Sequence, residues 1–186
     1  FARFGSLQDW TLPEVALFYG MVHLAFAISE AAARGFDIFY RQVKSGDFDR
    51  ILLRPRSAVL QVIGTEFQLM RIGRFMQGLV VLLWGAKQLE DVLNGRAIFL
   101  IAASIIGGAF LFSGLFVLQA TLSFWSVDSL ELVNTVTYGG VQAAQVPVTI
   151  YRKRFRNFFI WIVPLATINY FPLTAILHRP DPLGTP

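Results

Sequence analysis

The run from Ala97 to Val127 contains no charged side chain, and no other feature of the sequence constrains the fold as strongly. As one α-helix it would be about 46 Å long at about 1.5 Å per residue. That exceeds the roughly 30 Å hydrocarbon core of a bilayer but is too short for two spans. It reads as a single spanning helix that runs past the interface, with Trp125 as its anchor. Ala103/Gly107 and Ser104/Gly108 are small residues four apart, a spacing that lets helices approach closely, and are read as packing. The composition agrees: 55% hydrophobic and 15% charged residues, with a mean hydropathy of +0.56. A soluble domain carries about 25% charged residues. The chain has 18 Phe and no Cys. This excludes a disordered chain, a disulfide-stapled module and a zinc-cysteine site. The net charge of +4 and pI near 9.8 fit cytoplasmic loops that collect Lys and Arg. No basic face is interleaved with stacking aromatics, which argues against nucleic acid as a partner.

Further spans fall on either side. Leu12 to Ala33 is a candidate span carrying Glu14, His23 and Glu30, so one face should look into protein. Ala58 to Leu89 is a helical stretch interrupted by Glu66, Arg71 and Arg74. Either it is long and tilted with its charges facing protein, or its first half lies at the interface; the first reading is favoured, with Glu66 paired to a basic neighbour. Leu132 to Tyr151 is uncharged but polar, with Asn134, Thr137, Gln142 and Gln145. Lipid would reject that composition on all faces, so these residues and Glu66 are candidates for lining a path. Pro147 should break this helix. A last span is expected over Asn157 to Leu177, kinked by Pro164 and Pro172, with a Pro-rich tail behind it. Five spans would give an all-α polytopic membrane helix bundle, and residues 1–186 would form a single transmembrane domain.

Residues 34–56 set the orientation. Six basic residues stand against three acidic ones in a short loop, which the positive-inside rule places in the cytoplasm. Alternation then puts the start, the Lys87–Arg96 turn and the basic cluster Arg152–Arg156 outside, against that rule for the cluster, and the tail inside. Phe36, Phe39, Tyr40 and Val43 share one face of a helix expected to lie along the membrane surface. After Ser45-Gly46, Asp47 can cap a second short helix with Asp49 in its first turn. Phe48, Ile51 and Leu52 form its apolar side, and Pro55 should end it at Arg54. A capped helix wedged between two spans can act as a rigid lever; it can equally be a plain connecting loop.

Little points to catalysis. His23 and His178 are far apart, and no HExxH, GxSxG, Walker-type loop or Cys cluster is present. No catalytic residue and no metal ligand is assigned. Glu14, Glu30 and Glu66 are read either as functional acids or as interhelical pairs.

The segments SGDFDRILLRPRS (45–57), TLSFW (121–125), VPVTIYRKRFRNFFIWIVPLATINYFP (146–172) and RPDPLG (179–184) resemble the permease subunits of bacterial ABC-2-type exporters, over nearly the whole chain from about Leu12. That resemblance implies a six-span subunit in the cytoplasmic (inner) membrane whose first span is missing from this sequence. Residues 36–56 would be the coupling-helix region, seated in a cleft of a separate ATPase through Gly46, Asp47, Phe48, Asp49, Arg50, Ile51, Leu52, Arg54 and Pro55. Phe48, Ile51 and Leu52 would be the docking knobs. Residues 147–157 would match an extracellular re-entrant segment. The partners implied are the ATPase, which would hold ATP and Mg, and a second permease, homologous or identical; this chain would bind no cofactor itself. Two other readings remain open: a structural or assembly subunit of a larger membrane complex, and an intramembrane lipid-processing enzyme.

Overall fold

The computed structural model describes residues 10–66, 70–125 and 129–179. The start of the chain, the junctions at 67–69 and 126–128, and the tail beyond Arg179 lie outside the described residues. Among those described, the structure is helical throughout, with no extended strand.

Helix α1 (Leu12–Asp37) is the central post. Pro13 sits in its first turn, where its missing N–H costs nothing, and the Thr11 N–H donates to the Glu14 carboxylate at 2.7 Å. Helix α5 (Met70–Lys87) packs antiparallel along one flank and α6 (Gly95–Leu122) parallel along another. Glycines set the first contact. A Cβ at Gly20 would stand 2.6 Å from the Leu82 Cβ, and one at Gly85 2.9 Å from the Pro13 carbonyl oxygen. On the other flank, a Cβ at Gly108 would come within 2.8 Å of Ala25 Cβ. Of the two small-residue pairs read from the sequence, Ser104/Gly108 therefore faces the core, while Ala103 and Gly107 point outward. Asn94 starts α6 by accepting from the Ala97 N–H at 2.8 Å.

Three expectations are corrected. First, the helix expected along the membrane surface is an extension of α1. After Ile38 the chain continues as α2 (Phe39–Ser45), giving a continuous stretch Leu12–Ser45. Phe36, Phe39 and Val43 are turned to protein, against Val62 and Ala120. Second, Ala58–Leu89 is not one long tilted helix. It splits into α4 (Ala58–Ile63) and α5, with a turn at Gly64-Thr65 and Glu66 outside both helices. The Gly35 backbone packs so tightly on the Val62 carbonyl that no side chain fits there, which pins α4 across the end of α1.

Third, the stretch expected to be the last span does not cross as one helix. Helix α7 (Ser129–Ala144) ends before Pro147, and α8 (Lys153–Asn157) runs into a π-turn over Phe158–Ile162. After the Val163-Pro164 break come α9 (Leu165–Ile168) and α10 (Tyr170–Ile176), at 71° to the preceding piece. Ile168 lies against Gly108, opposite Ala25 in mid-α1. Tyr170 meets Trp10 with ring centroids 6.2 Å apart, and Arg179 reaches Glu14. The chain thus climbs back along α1 to its start, and Arg179 ends on the side where α1 begins, not on the opposite side. Two prolines and a side-chain-capped turn at Asn169, whose Oδ1 accepts from the Tyr170 N–H, explain why one straight helix cannot form.

Among the described residues, two helices are long and apolar enough to cross a membrane, Leu12–Ser45 and Gly95–Leu122, and a third if the bent pair counts as one. Helix α5 carries Arg71 and Arg74, and both are turned onto Glu30 of α1.

Candidate functional site

The segment after α2 is built from a left-handed turn. Gly46 has φ +75°, a conformation only glycine takes without strain, and it rather than Asp47 occupies the cap position of α3 (Asp47–Leu52). Asp47 is the first helical residue. The Ser45 hydroxyl donates to its carboxylate at 2.7 Å. That hydrogen bond, with Arg50 beside it, holds the Asp47 carboxyl below the usual carboxylate range. Asp47 and Asp49 both fall in the first turn, where the helix dipole favours them. The helix ends at Leu52, two residues earlier than Pro55 alone would require.

The two sides of α3 differ. Phe48 meets Phe39 of α2 edge-on at 4.9 Å and Phe124, just beyond α6, at 5.5 Å. Ile51 packs in the same cluster. Phe48 and Ile51 are therefore not outward knobs; they fasten the helix to its own body. The outward apolar residues are Leu52, 58% exposed, and Leu53, 86% exposed, flanked by exposed Asp49, Arg50, Arg54 and Pro55. The Gln61 side-chain amide of α4 donates to the Ile51 and Arg56 carbonyls at 3.3 and 3.2 Å. Asp47, Arg50, Ile51 and Arg54 line a polar groove of about 540 Å³ together with Gln42 and Gln61. Helix α3 is thus held by α2, by α4 and by Phe124 just beyond α6.

One turn above, a polar knot joins three helices. Arg34 of α1 donates to Tyr138 Oη of α7 at 2.8 Å, and Tyr138 Oη donates to Asp37 at 2.7 Å. Arg34 also pairs directly with Asp37. Gln119 of α6, buried, donates to both the backbone and the side-chain oxygen of Asp37 at 3.1 Å. Phe26 closes the knot from above, edge-on to Phe112 at 5.1 Å and to Tyr138 at 5.4 Å. Sequence reasoning singled out none of Asp37, Tyr138 and Gln119 for this role. The available signal was an ionisable or polar residue near the end of α1 and of α6, Asp37 and Gln119, with a tyrosine inside α7.

The candidate path residues are not gathered at one place. Glu66 sits at the α4–α5 break. Thr137 is fully buried within the bundle, and its hydroxyl has no hydrogen-bond partner. Asn134 is half-buried; Gln142 is exposed and accepts from Gln145 at 3.0 Å on the next turn. The acids Glu14 and Glu30 resolve as ion pairs, Glu30 between α1 and α5 and Glu14 between α1 and the chain beyond α10. Glu14 takes two hydrogen bonds from Arg179, both at 2.9 Å, with the guanidinium also over the Trp10 ring at 4.4 Å. Among the described residues no cluster of His, Cys, Asp and Glu could hold a metal ion.

A family model described as "ABC-2 family transporter protein" matches residues 1–185. Comparison with curated proteins and with solved structures finds no match. An all-α bundle with membrane-length apolar helices, matched over nearly its entire length, places this chain among the ABC-2 family transporter proteins, as a membrane-embedded permease component of an ABC transporter.

Proposed function

We propose that this chain forms half of the translocation path of an ATP-driven exporter in the bacterial inner membrane, with a second permease, identical or homologous, as the other half. A separate ATPase subunit would bind ATP and Mg and seat its cleft on α3. The observation that carries this reading is the division of α3 into a fastened side, Phe48 and Ile51, and a free side, Leu52, Leu53 and Arg54. A plain loop has no reason to display two leucines to water beside a helix held rigidly from below.

The mechanism follows from what α3 touches. ATP binding draws two ATPases together, and each carries its α3 with it. The Phe39–Phe48–Phe124 cluster passes the displacement to the ends of α2 and α6, and Gln61 passes it to α4. The Arg34–Asp37–Tyr138–Gln119 knot keeps α1, α6 and α7 together at this end, so the polar helix α7 moves with them. Rigid-body motion of packed helices is the ordinary form of such gating. Path residues on this reading are the accessible polar groups of α7 and the turn beyond it, Asn134, Gln142 and Gln145.

Purification of the native complex in mild detergent tests this. An ATPase with Walker motifs should accompany the chain, and Leu53→Asp and Arg54→Glu should each abolish permease-stimulated ATP hydrolysis while leaving insertion intact. Full stimulation in both variants would refute the docking assignment.

A further inference from the structure

Arg152, Lys153, Arg154 and Arg156 lie on and just before α8; the first three are exposed and Arg156 is half-buried. Arg34, Arg71, Arg74 and Arg179 of the bundle each pair with an aspartate or glutamate. Among the described residues no acid pairs with any of the α8 four, and the buried Nε of Arg156 has no hydrogen-bond partner. Their level in the bundle makes this costly. Gly108 is the middle of the spanning helix α6, and a Cβ there would come within 3.2 Å of Ile168 Cδ1. The adjoining Asn169 donates to the Ala144 carbonyl at 2.6 Å, which holds the end of α7 close to that level. Helix α8 folds back against this end of α7. Tyr151 Oη donates to the Ala143 carbonyl at 3.2 Å, and Phe159 lies against Gly140. Phe155 of α8 stacks between them, 4.9 Å from Tyr151 and 4.8 Å from Phe159. A charged group inside a membrane faces a partner or a water-filled cavity, not lipid. Broken backbone at that depth is likewise tolerated only inside protein or along such a cavity. Gln142 and Gln145, the path residues named above, immediately precede the segment.

We infer that residues 152–156 are an anion-binding stretch of the translocation path, so that the exported cargo carries phosphate or carboxylate groups held by Arg152, Lys153 and Arg154. The inference rests on the reading of this chain as half of a path. Charge names the occupant. Guanidinium forks match phosphate and carboxylate, and no acid of the chain competes for them here. A second copy of the same segment would bring like charges together, since a two-fold interface pairs a patch with itself. Lipid headgroups lie at the ends of a spanning helix, whereas α8 is tied to the level of the middle of α6.

The chain has no cysteine, so Asn157→Cys, exposed and one turn beyond Lys153 on α8, supplies a single reporter thiol. The native complex is placed in dioleoylphosphatidylcholine vesicles. Modification of this chain by anionic 2-sulfonatoethyl methanethiosulfonate is compared with that by the cationic 2-trimethylammonioethyl reagent, each relative to free mercaptoethanol. The anionic reagent should be favoured about tenfold, from three unit charges acting at close range. Replacing Arg152, Lys153 and Arg154 together by Gln, all on the exposed side, should bring the ratio to near unity. Trapping the ATPase with ATP and vanadate should change the anionic rate about threefold or more, because a path alters its access as packed helices move. No reaction with either reagent, or a preference that survives the triple substitution, overturns the inference. Loss of the preference in vesicles containing phosphatidylglycerol would assign the segment to lipid headgroups, and indifference to vanadate would assign it to an outer surface; either also overturns it. A native complex without an ATPase refutes the exporter reading by itself, whatever the thiol rates, so the two failures are told apart.

Discussion

Replacing Phe48 by Ala should loosen α3 without disturbing the bundle. A six-residue helix cannot hold itself in water, because nucleation is costly and few hydrogen bonds repay it. Its order therefore comes from attachment. Phe48 contributes two edge-to-face pairs, at 4.9 Å and 5.5 Å. Such pairs are worth about 0.5–1.5 kcal/mol each beyond area burial. The half-buried ring adds about 1 kcal/mol of transfer energy. Together the loss is about 2–4 kcal/mol, and at about 1.4 kcal/mol per factor of ten local opening should rise roughly 30-fold or more. Amide hydrogen exchange reads this directly, because local opening free energies set the protection of each segment. Amides of residues 50–54 should exchange at least about tenfold faster in Phe48→Ala, with those of α1 and α6 unchanged. Leu53→Ala, which removes an exposed side chain, should change neither. Unaltered exchange at 50–54 in Phe48→Ala would show that α3 is held by something other than this cluster. Acceleration spreading through α6 would show that the cluster supports the bundle rather than the lever.

Glu30→Ala leaves Arg71 and Arg74 facing each other without their carboxylate. Removing one partner of a buried ion pair costs about 3–5 kcal/mol, so thermal unfolding in detergent should shift down sharply; an unchanged midpoint would mean the cluster is hydrated. Asn94→Ala removes the cap of α6 and should cost about 1 kcal/mol by the same assay, with wild-type stability contradicting the cap. Ser45→Ala should raise the titration midpoint of Asp47, followed by carboxyl-carbon NMR. Because folding lowers the Asp47 pKa, its contribution to α3 is present above the ordinary carboxylate value and is lost as pH falls through the folded value. An unmoved midpoint would exclude the Ser45 hydrogen bond as the cause.

Much of this could be read along the chain. The uncharged run gave α6 because lipid admits no unpaired charge, and the Ser45-Gly46 break with two aspartates behind it located the start of α3 within a residue, though its end falls two residues before Arg54. What failed was information carried by faces rather than by spacing. Phe48 and Leu52 both read as the apolar side of one short helix, and only the position of Phe39 and Phe124 decides which points inward. Glu30, left open between a functional acid and an interhelical pair, takes both Arg71 and Arg74, because α5 starts beyond the Gly64-Thr65 turn and so runs alongside α1. The expected last span failed for a similar reason. Its apolar content suits a crossing helix, but Pro164 and Asn169 break it, and the Glu14–Arg179 contact that returns it to the start of α1 joins opposite ends of the sequence.

The central claim is that the free side of α3 is where an ATPase sits. A photocrosslinking residue placed in turn at Leu52, Leu53 and Arg54 in the assembled complex tests it most directly. The account expects adducts with an ATP-hydrolysing subunit from these positions and none from Phe48 or Ile51. Adducts only with lipid or with a second permease, in a complex that still contains the ATPase, would contradict it.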